Sequence, residues 1–78
     1  MATGSFGELI SGPTPVLVDF FATWCGPCKA LAPQLEVFAK EHTGRVKVIK
    51  IDVDQNPQLA GALQVQGVPT LILFKDGE

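Results

Sequence analysis

Two cysteines separated by two residues are the feature of this chain best suited to chemistry. Cys25 and Cys28 are the only cysteines among its 78 residues, and they lie between an apolar run and a helical pattern. A cysteine at a helix N terminus is close to free backbone N–H groups and the positive end of the helix dipole, which favour its thiolate. Because the thiolate attacks disulfides and binds metals, the spacing predicts redox or metal chemistry.

A structural role for the cysteine pair is less favoured by the sequence. A disulfide between Cys25 and Cys28 closes a loop too small to restrain the unfolded chain much. Structural zinc takes four ligands, and this pair supplies two. His42 has no second histidine or carboxylate cluster beside it in the sequence. We therefore expect no metal site within one chain, while a metal bridged between two chains stays open as an alternative.

Asp19 is a carboxylate inside an apolar run, residues 16–22. Such a run is typical of a central strand that is buried on both faces. Burial raises the pKa of an unpaired carboxylate, and a carboxylate that titrates near neutrality can accept a proton from a thiol. Asp19 is therefore a candidate general base for Cys28.

The surrounding pattern predicts six elements in a single domain, residues 1–78. Ser5 is a candidate cap for the first helix. The elements are a helix over 6–10, a strand over 16–22, a helix from the cysteines to His42, a strand over 46–53, a helix over 58–63 and a strand over 71–74. Strand–helix–strand units favour right-handed crossovers and parallel neighbouring strands, so the fold class is α/β.

Composition and charge exclude several functions. The chain is 46% hydrophobic and 18% charged, its net charge is −2, and its six basic residues are scattered. This gives no basic patch for nucleic acid or anionic lipid. The sequence has neither an apolar run near the ~20 residues that span a membrane nor a signal-peptide pattern. We expect a cytoplasmic protein with no nucleic-acid or membrane partner.

Several separated motifs together resemble the thioredoxin family. They are Trp24-Cys25-Gly26-Pro27-Cys28-Lys29 after a strand, Asp19 six residues before Cys25, Asn56-Pro57 after Asp52-Val53-Asp54, and Val68-Pro69-Thr70 before the last strand. The resemblance implies a thioredoxin-like fold of three layers. Its mixed sheet would have central parallel strands and an antiparallel last strand, and the fold would be incomplete at the C terminus.

The resemblance also implies an activity, protein disulfide reduction. Cys25 would be the attacking thiol, with the lower pKa and the greater access, and Cys28 the resolving thiol. Asp19 would be the base, with Lys50 as the nearby lysine; the alternative is a buried Asp19–Lys50 ion pair without a catalytic role. The reaction would need no cofactor beyond the Cys25–Cys28 disulfide. Disulfide-containing substrate proteins and a thioredoxin reductase would be the partners.

A substrate-binding surface follows from the same resemblance. Trp24, Gly26 and Pro27 would border the redox pair; the alternative for Trp24 is a side chain that fills the core. Gly67, Val68 and Pro69 would form a cis-proline loop facing it; the alternative is a trans proline that opens a strand.

The chain departs from the family pattern at both ends. By the resemblance, the family's first strand and, after the strand at 71–74, its further antiparallel strand and long C-terminal helix are expected to be missing here. The strand at 71–74 is then expected to be an open edge beside an uncovered sheet face. This predicts self-association or a marginal fold, and it leaves a second function open: a non-catalytic binding or assembly module.

Overall fold

The computed structural model describes residues 3–77, with the side chains of residues 3–5 left out of the description. Three helices and three strands alternate: α1 Thr3–Ile10, β1 Val16–Phe21, α2 Gly26–Glu41, β2 Lys47–Asp52, α3 Pro57–Ala62 and β3 Thr70–Phe74. This is the predicted order. The expected cap at Ser5 is wrong, because the helical backbone already begins at Thr3.

Strand β1 is the centre of a three-stranded sheet of order β2-β1-β3. It pairs with β2 in parallel, with Asp19 beside Lys50, and with β3 in antiparallel, with Val16 opposite Phe74. The central position explains the apolar run, since neighbours on both sides and layers on both faces remove its side chains from water. Phe20 in this strand is 0% exposed.

Strands β2 and β3 run in opposite directions beside β1. Helix α2 has 16 residues and returns the chain to the start of the sheet, so β2 runs parallel to β1. The connection after β2, which contains the 6-residue helix α3, comes back to the end of the sheet where β2 stops, so β3 runs antiparallel to β1. The parallel neighbours predicted from the element order are therefore wrong for β3, and the antiparallel last strand implied by the resemblance is confirmed.

Different helices cover the two faces of the sheet. One face forms the main core with α1 and α3. The buried residues of this core are Phe6, Ile10, Val16, Val18, Phe20, Ile51, Leu59 and Phe74. Phe6 packs edge-to-face on Phe74 with ring centroids 5.5 Å apart. On the other face, Asp19 shares a cleft with Cys28 and Ala32 of α2. The expected three-layer α/β arrangement is confirmed.

Strand β3 is an outer strand of the described sheet. Leu71 and Leu73 are 44% and 59% exposed, and their register opposite Asp19 and Leu17 places them on the α2 face. Self-association through this strand stays a prediction. None of the helices in the described part of the chain is long and apolar enough to cross a membrane.

Candidate active site

The redox pair lies at the junction between the β1–α2 loop and the first turn of α2. Cys25 is the N-cap residue of α2, with Gly26 as the first helical residue and Pro27 in the first turn. A proline fits there because a first-turn N–H has no partner within the helix. Cys25 and Cys28 form a disulfide with their Cα atoms 5.3 Å apart. The expected position of the cysteines at a helix N terminus is confirmed.

The two sulfurs are not equivalent in their hydrogen bonding. The backbone N–H of Cys28 donates to Sγ of Cys25 over 3.1 Å. An N–H donor at a helix N terminus stabilises negative charge on the sulfur that it meets. Once the disulfide is reduced, this contact favours the thiolate of Cys25.

The disulfide is buried in this oxidised state. Cys25 is 3% exposed and Cys28 is 6% exposed. The expectation that Cys25 has the greater access is therefore wrong for the disulfide form. The reason is packing: the pair forms a cluster with Ala22, and Phe21, Val53 and Val68 cover it.

The loop before β3 faces the redox pair. The Val68–Pro69 bond is cis, as the resemblance implies, and the trans alternative is wrong. Val68 packs on the cysteine cluster, although about forty residues of chain separate them. The hydroxyl of Thr70 donates to the carbonyl oxygen of Gly67 over 2.5 Å, which ties the two ends of the loop together.

Trp24 forms part of a groove rather than part of the core. Its side chain is 69% exposed, and its indole N–H donates to Oδ2 of Asp54 over 2.8 Å. A hollow of about 160 Å³ lies beside it, lined by Trp24, Val53, Val65, Gln66, Gly67 and Val68. Trp24 and the Gly67–Val68 segment therefore border one concave surface next to Cys25.

Asp19 is a buried carboxylate without full hydrogen bonding. It is 1% exposed, and its Oδ1 has no hydrogen-bond partner among the described residues. Burial raises the pKa of Asp19 above its usual value, and the positive charge of Lys50 opposes this rise. The predicted direction of the pKa shift is confirmed. Asp19, Cys28 and Lys50 all line an open cleft of about 330 Å³.

The position of Lys50 argues against the buried ion pair offered as an alternative. Its side chain is exposed, and its Nζ lies over the ring of Phe21, 5.3 Å from the ring centroid. Lys50 thus acts on Asp19 through its charge across the cleft, while the ammonium group stays in contact with water.

The structure brings the predicted residues to one end of the sheet, and it adds two residues for which no role was predicted from the sequence. The carboxylate of Asp54 accepts a hydrogen bond from the Trp24 indole, and the hydroxyl of Thr70 donates one to the Gly67 carbonyl. Asp54 belongs to a motif of the resemblance, but its partner is thirty positions away. Within residues 3–77, no group of three or more His, Cys, Asp or Glu side chains is placed to hold a metal ion.

A dithiol that closes into a disulfide beside a buried carboxylate can exchange electrons with another disulfide. The fold and this site define the chain as a thiol–disulfide oxidoreductase. The family model described as Thioredoxin matches residues 1–78. The chain is 48% identical to the thioredoxin of Alicyclobacillus acidocaldarius over 77 residues, which are 99% of this chain and 73% of that protein. The chain belongs to the thioredoxin family.

Two further comparisons agree. The chain is 52% identical over 73 residues to the bifunctional thioredoxin reductase/thioredoxin of Mycobacterium leprae, covering 94% of this chain and 16% of that protein. It superposes on the oxidised mitochondrial thioredoxin 3 of Saccharomyces cerevisiae with a TM-score of 0.89 and 39% identity, over 96% of this chain and 70% of that one. The chain thus spans about seven tenths of the two thioredoxins and a sixth of the bifunctional protein.

Proposed function

We propose that this chain reduces disulfides in other proteins, with Cys25 as the attacking thiol and Cys28 as the resolving thiol. The observation that supports this order is the position of the Cys25 sulfur at the N terminus of α2, 3.1 Å from the Cys28 N–H. That donor stabilises the thiolate of the sulfur that it contacts once the disulfide is open. Cys25 is therefore the thiol proposed to attack the substrate.

The reaction balances over two exchanges. The Cys25 thiolate attacks one sulfur of the substrate disulfide, so that a mixed disulfide forms and the other substrate sulfur leaves as a thiolate and takes up a proton. The Cys28 thiol then loses its proton and attacks Sγ of Cys25. The mixed disulfide breaks, and the second substrate sulfur leaves. Two electrons have passed to the substrate, and the chain ends as the Cys25–Cys28 disulfide.

Asp19 is the group proposed to take the proton of Cys28. The two residues line the same cleft, and burial gives Asp19 a raised pKa, so its carboxylate is a stronger base than an exposed one. The positive charge of Lys50 opposes that rise in the pKa of Asp19. The cleft is open, so water can carry the proton between the two side chains.

An extended segment of the substrate is proposed to bind between Trp24 and the cis-proline loop. Gly26 and Pro27 begin α2 on one side of the disulfide. Gly67, Val68 and Pro69 lie on the other side, where Val68 contacts the cysteine cluster. An extended chain can pair with the backbone of such a loop. This arrangement holds a substrate disulfide at Cys25.

The proposed partners are disulfide-containing proteins as substrates and a thioredoxin reductase that returns two electrons to the disulfide. The Mycobacterium leprae relative, named as a bifunctional thioredoxin reductase/thioredoxin, supports the second partner. The chemistry needs no bound cofactor, since the disulfide itself carries the electrons. We propose the cytoplasm as the compartment, because a redox-active cysteine pair is typical of reducing compartments.

A trapping experiment tests this proposal. Cys28→Ser should form stable mixed disulfides with substrate proteins, because no resolving thiol remains, and the adducts should disappear after treatment with a reductant. The control Cys25→Ser should form none. The unaltered chain should also accelerate insulin reduction by dithiothreitol. Equal trapping by both variants, or no acceleration over dithiothreitol alone, would contradict the proposal and favour the non-catalytic binding module.

A further inference from the structure

We propose that Asp52 is a positioning residue that fixes the Trp24 wall of the groove by holding Asp54. The consequence for substrate binding rests on the proposed function. Asp52 is the last residue of β2 and lies in register with Phe21, the last residue of β1. It therefore stands where the turn toward α3 begins, next to the loop that leads to the cysteines.

Asp52 organises this turn through two contacts. Its Oδ1 accepts a hydrogen bond from the backbone N–H of Asp54 over 2.9 Å. Its carbonyl oxygen accepts one from the side-chain amide of Asn56 over 3.0 Å. Together these contacts fix the backbone of Asp54, and with it the direction in which the Asp54 carboxylate leaves the turn.

The fixed turn is joined to the redox loop at two places. At the base, the N–H of Val53 donates to the carbonyl oxygen of Phe21 over 2.9 Å. At the tip, the indole N–H of Trp24 donates to Asp54 over 2.8 Å. The residues between Phe21 and Trp24 thus form a short bridge, held at both ends by the β2–α3 turn.

The exposure of Trp24 makes this hydrogen bond important for its position. The side chain is 69% exposed, so packing alone does not hold the ring against the groove. When a large side chain is mainly in water, a directional hydrogen bond is what selects one rotamer. If Asp52 no longer orders the Asp54 backbone, the indole loses its fixed acceptor and the groove loses one wall.

The experiment compares Asp52→Ala and Asp52→Asn with Glu41→Ala as the control, an exposed acid at the end of α2 outside this network. Trp24 is the only tryptophan and the chain has no tyrosine, so its fluorescence anisotropy reports on it alone, and near-UV circular dichroism at wavelengths above the phenylalanine bands reports mainly on it. We expect Asp52→Ala to lower both signals and to raise the KM for insulin about fivefold, as the loss of one hydrogen bond implies. Its kcat should stay within about twofold.

The conservative variant separates positioning from charge. Asparagine keeps an Oδ1 acceptor for the Asp54 N–H, so Asp52→Asn should match the unaltered chain in anisotropy and in KM, as should Glu41→Ala. In an Asp54→Ala background, adding Asp52→Ala should change neither signal further, because Asp52 acts through Asp54. Far-UV circular dichroism confirms that each variant is folded.

Three results would overturn the proposal: unchanged anisotropy in Asp52→Ala, loss of anisotropy in Asp52→Asn equal to that in Asp52→Ala, or full additivity of the Asp52 and Asp54 variants. The fluorescence measurements need no turnover. If the unaltered chain failed to reduce insulin, the proposed function would fail, and the anisotropy would still decide whether Asp52 positions Trp24.

Discussion

Asp19 and Lys50 are neighbours on parallel strands β1 and β2, yet the Oδ1 atom of Asp19 has no hydrogen-bond partner within the part of the chain that the structure describes. The strand pairing brings a positive charge close to the carboxylate without satisfying its oxygen. Burial raises the pKa of Asp19, and Lys50 only partly offsets this effect. The site thus contains a carboxylate whose ionisation opposes folding and whose basicity serves the proposed resolving step.

Replacing the charge of Asp19 should stabilise the oxidised chain in a pH-dependent way. The pKa of Asp19 is raised above its usual value of 3.8 in the folded state. At pH values between the unfolded-state pKa and the folded-state pKa, the folded state therefore binds more protons than the unfolded state. Its free energy of unfolding therefore falls as pH rises, and Asp19→Asn should remove that loss. Near neutral pH the variant should be more stable by on the order of 1–3 kcal/mol.

Urea unfolding at a series of pH values measures this effect. The gain from Asp19→Asn should vanish below the unfolded pKa and grow with pH until the folded Asp19 is fully ionised. Asp76→Asn, at an exposed position, is the control and should show no such trend. A gain from Asp19→Asn that is the same at every pH would contradict the linkage to Asp19 ionisation.

The same variant should slow the second half of the reaction. Without a base in the cleft, the Cys28 thiol keeps its proton, so the mixed disulfide on Cys25 should accumulate. A positioned general base typically contributes about 10²-fold or more to a proton-transfer step. Rapid quenching with acid followed by mass spectrometry would measure the amount of mixed disulfide. If the rate of attack by Cys25 fell and no mixed disulfide accumulated, the result would contradict this role of Asp19.

Removing the charge of Lys50 should move the pH profile of the resolving step. Lys50 lowers the pKa of Asp19, so Lys50→Met should raise that pKa further and shift the rise in resolving rate to higher pH. Lys47→Met, on the same strand and also exposed, is the matched control. The measurement is the rate of mixed-disulfide resolution against pH; an equal shift in both variants would point to a general effect of net charge.

The Thr70 hydroxyl should help to hold the cis-proline loop. Thr70→Val removes the donor to the Gly67 carbonyl and keeps a β-branched side chain, so β3 should still form. We expect about a fivefold rise in the KM for insulin, the loss typical of one hydrogen bond. Thr70→Ser keeps the hydroxyl and should restore the KM. Equal KM values for the valine variant and the unaltered chain would show that the hydroxyl plays no part.

The main core should tolerate little loss of volume. Phe20 is 0% exposed at the centre of β1, and Phe20→Ala should lower the free energy of unfolding by about 3–5 kcal/mol. Val37→Ala, at a position that is 55% exposed, should change it by no more than about 0.5 kcal/mol. Urea unfolding measures both, and similar losses would mean that the core is not centred on β1.

The local features of the site could be predicted from the sequence because they depend on neighbours along the chain. The apolar run marks β1 as a central strand, and the residues after it start a helix that has Cys25 as its N-cap. Asp19 stands out because an apolar strand rarely holds an unpaired carboxylate. The cis state of Pro69, by contrast, came from the family resemblance, since most X–Pro bonds are trans.

Tertiary structure decided the relationships between distant residues. The connection from β2 to β3 returns to the end of the sheet where β2 stops, and this return places Val68 on the cysteine cluster. The burial of both cysteines depends on this packing, and the Trp24–Asp54 bond depends on the β2–α3 turn meeting the redox loop. The sequence determined which groups carry the chemistry; chain reversal and packing determined which of them meet, because such contacts depend on where distant segments lie in space.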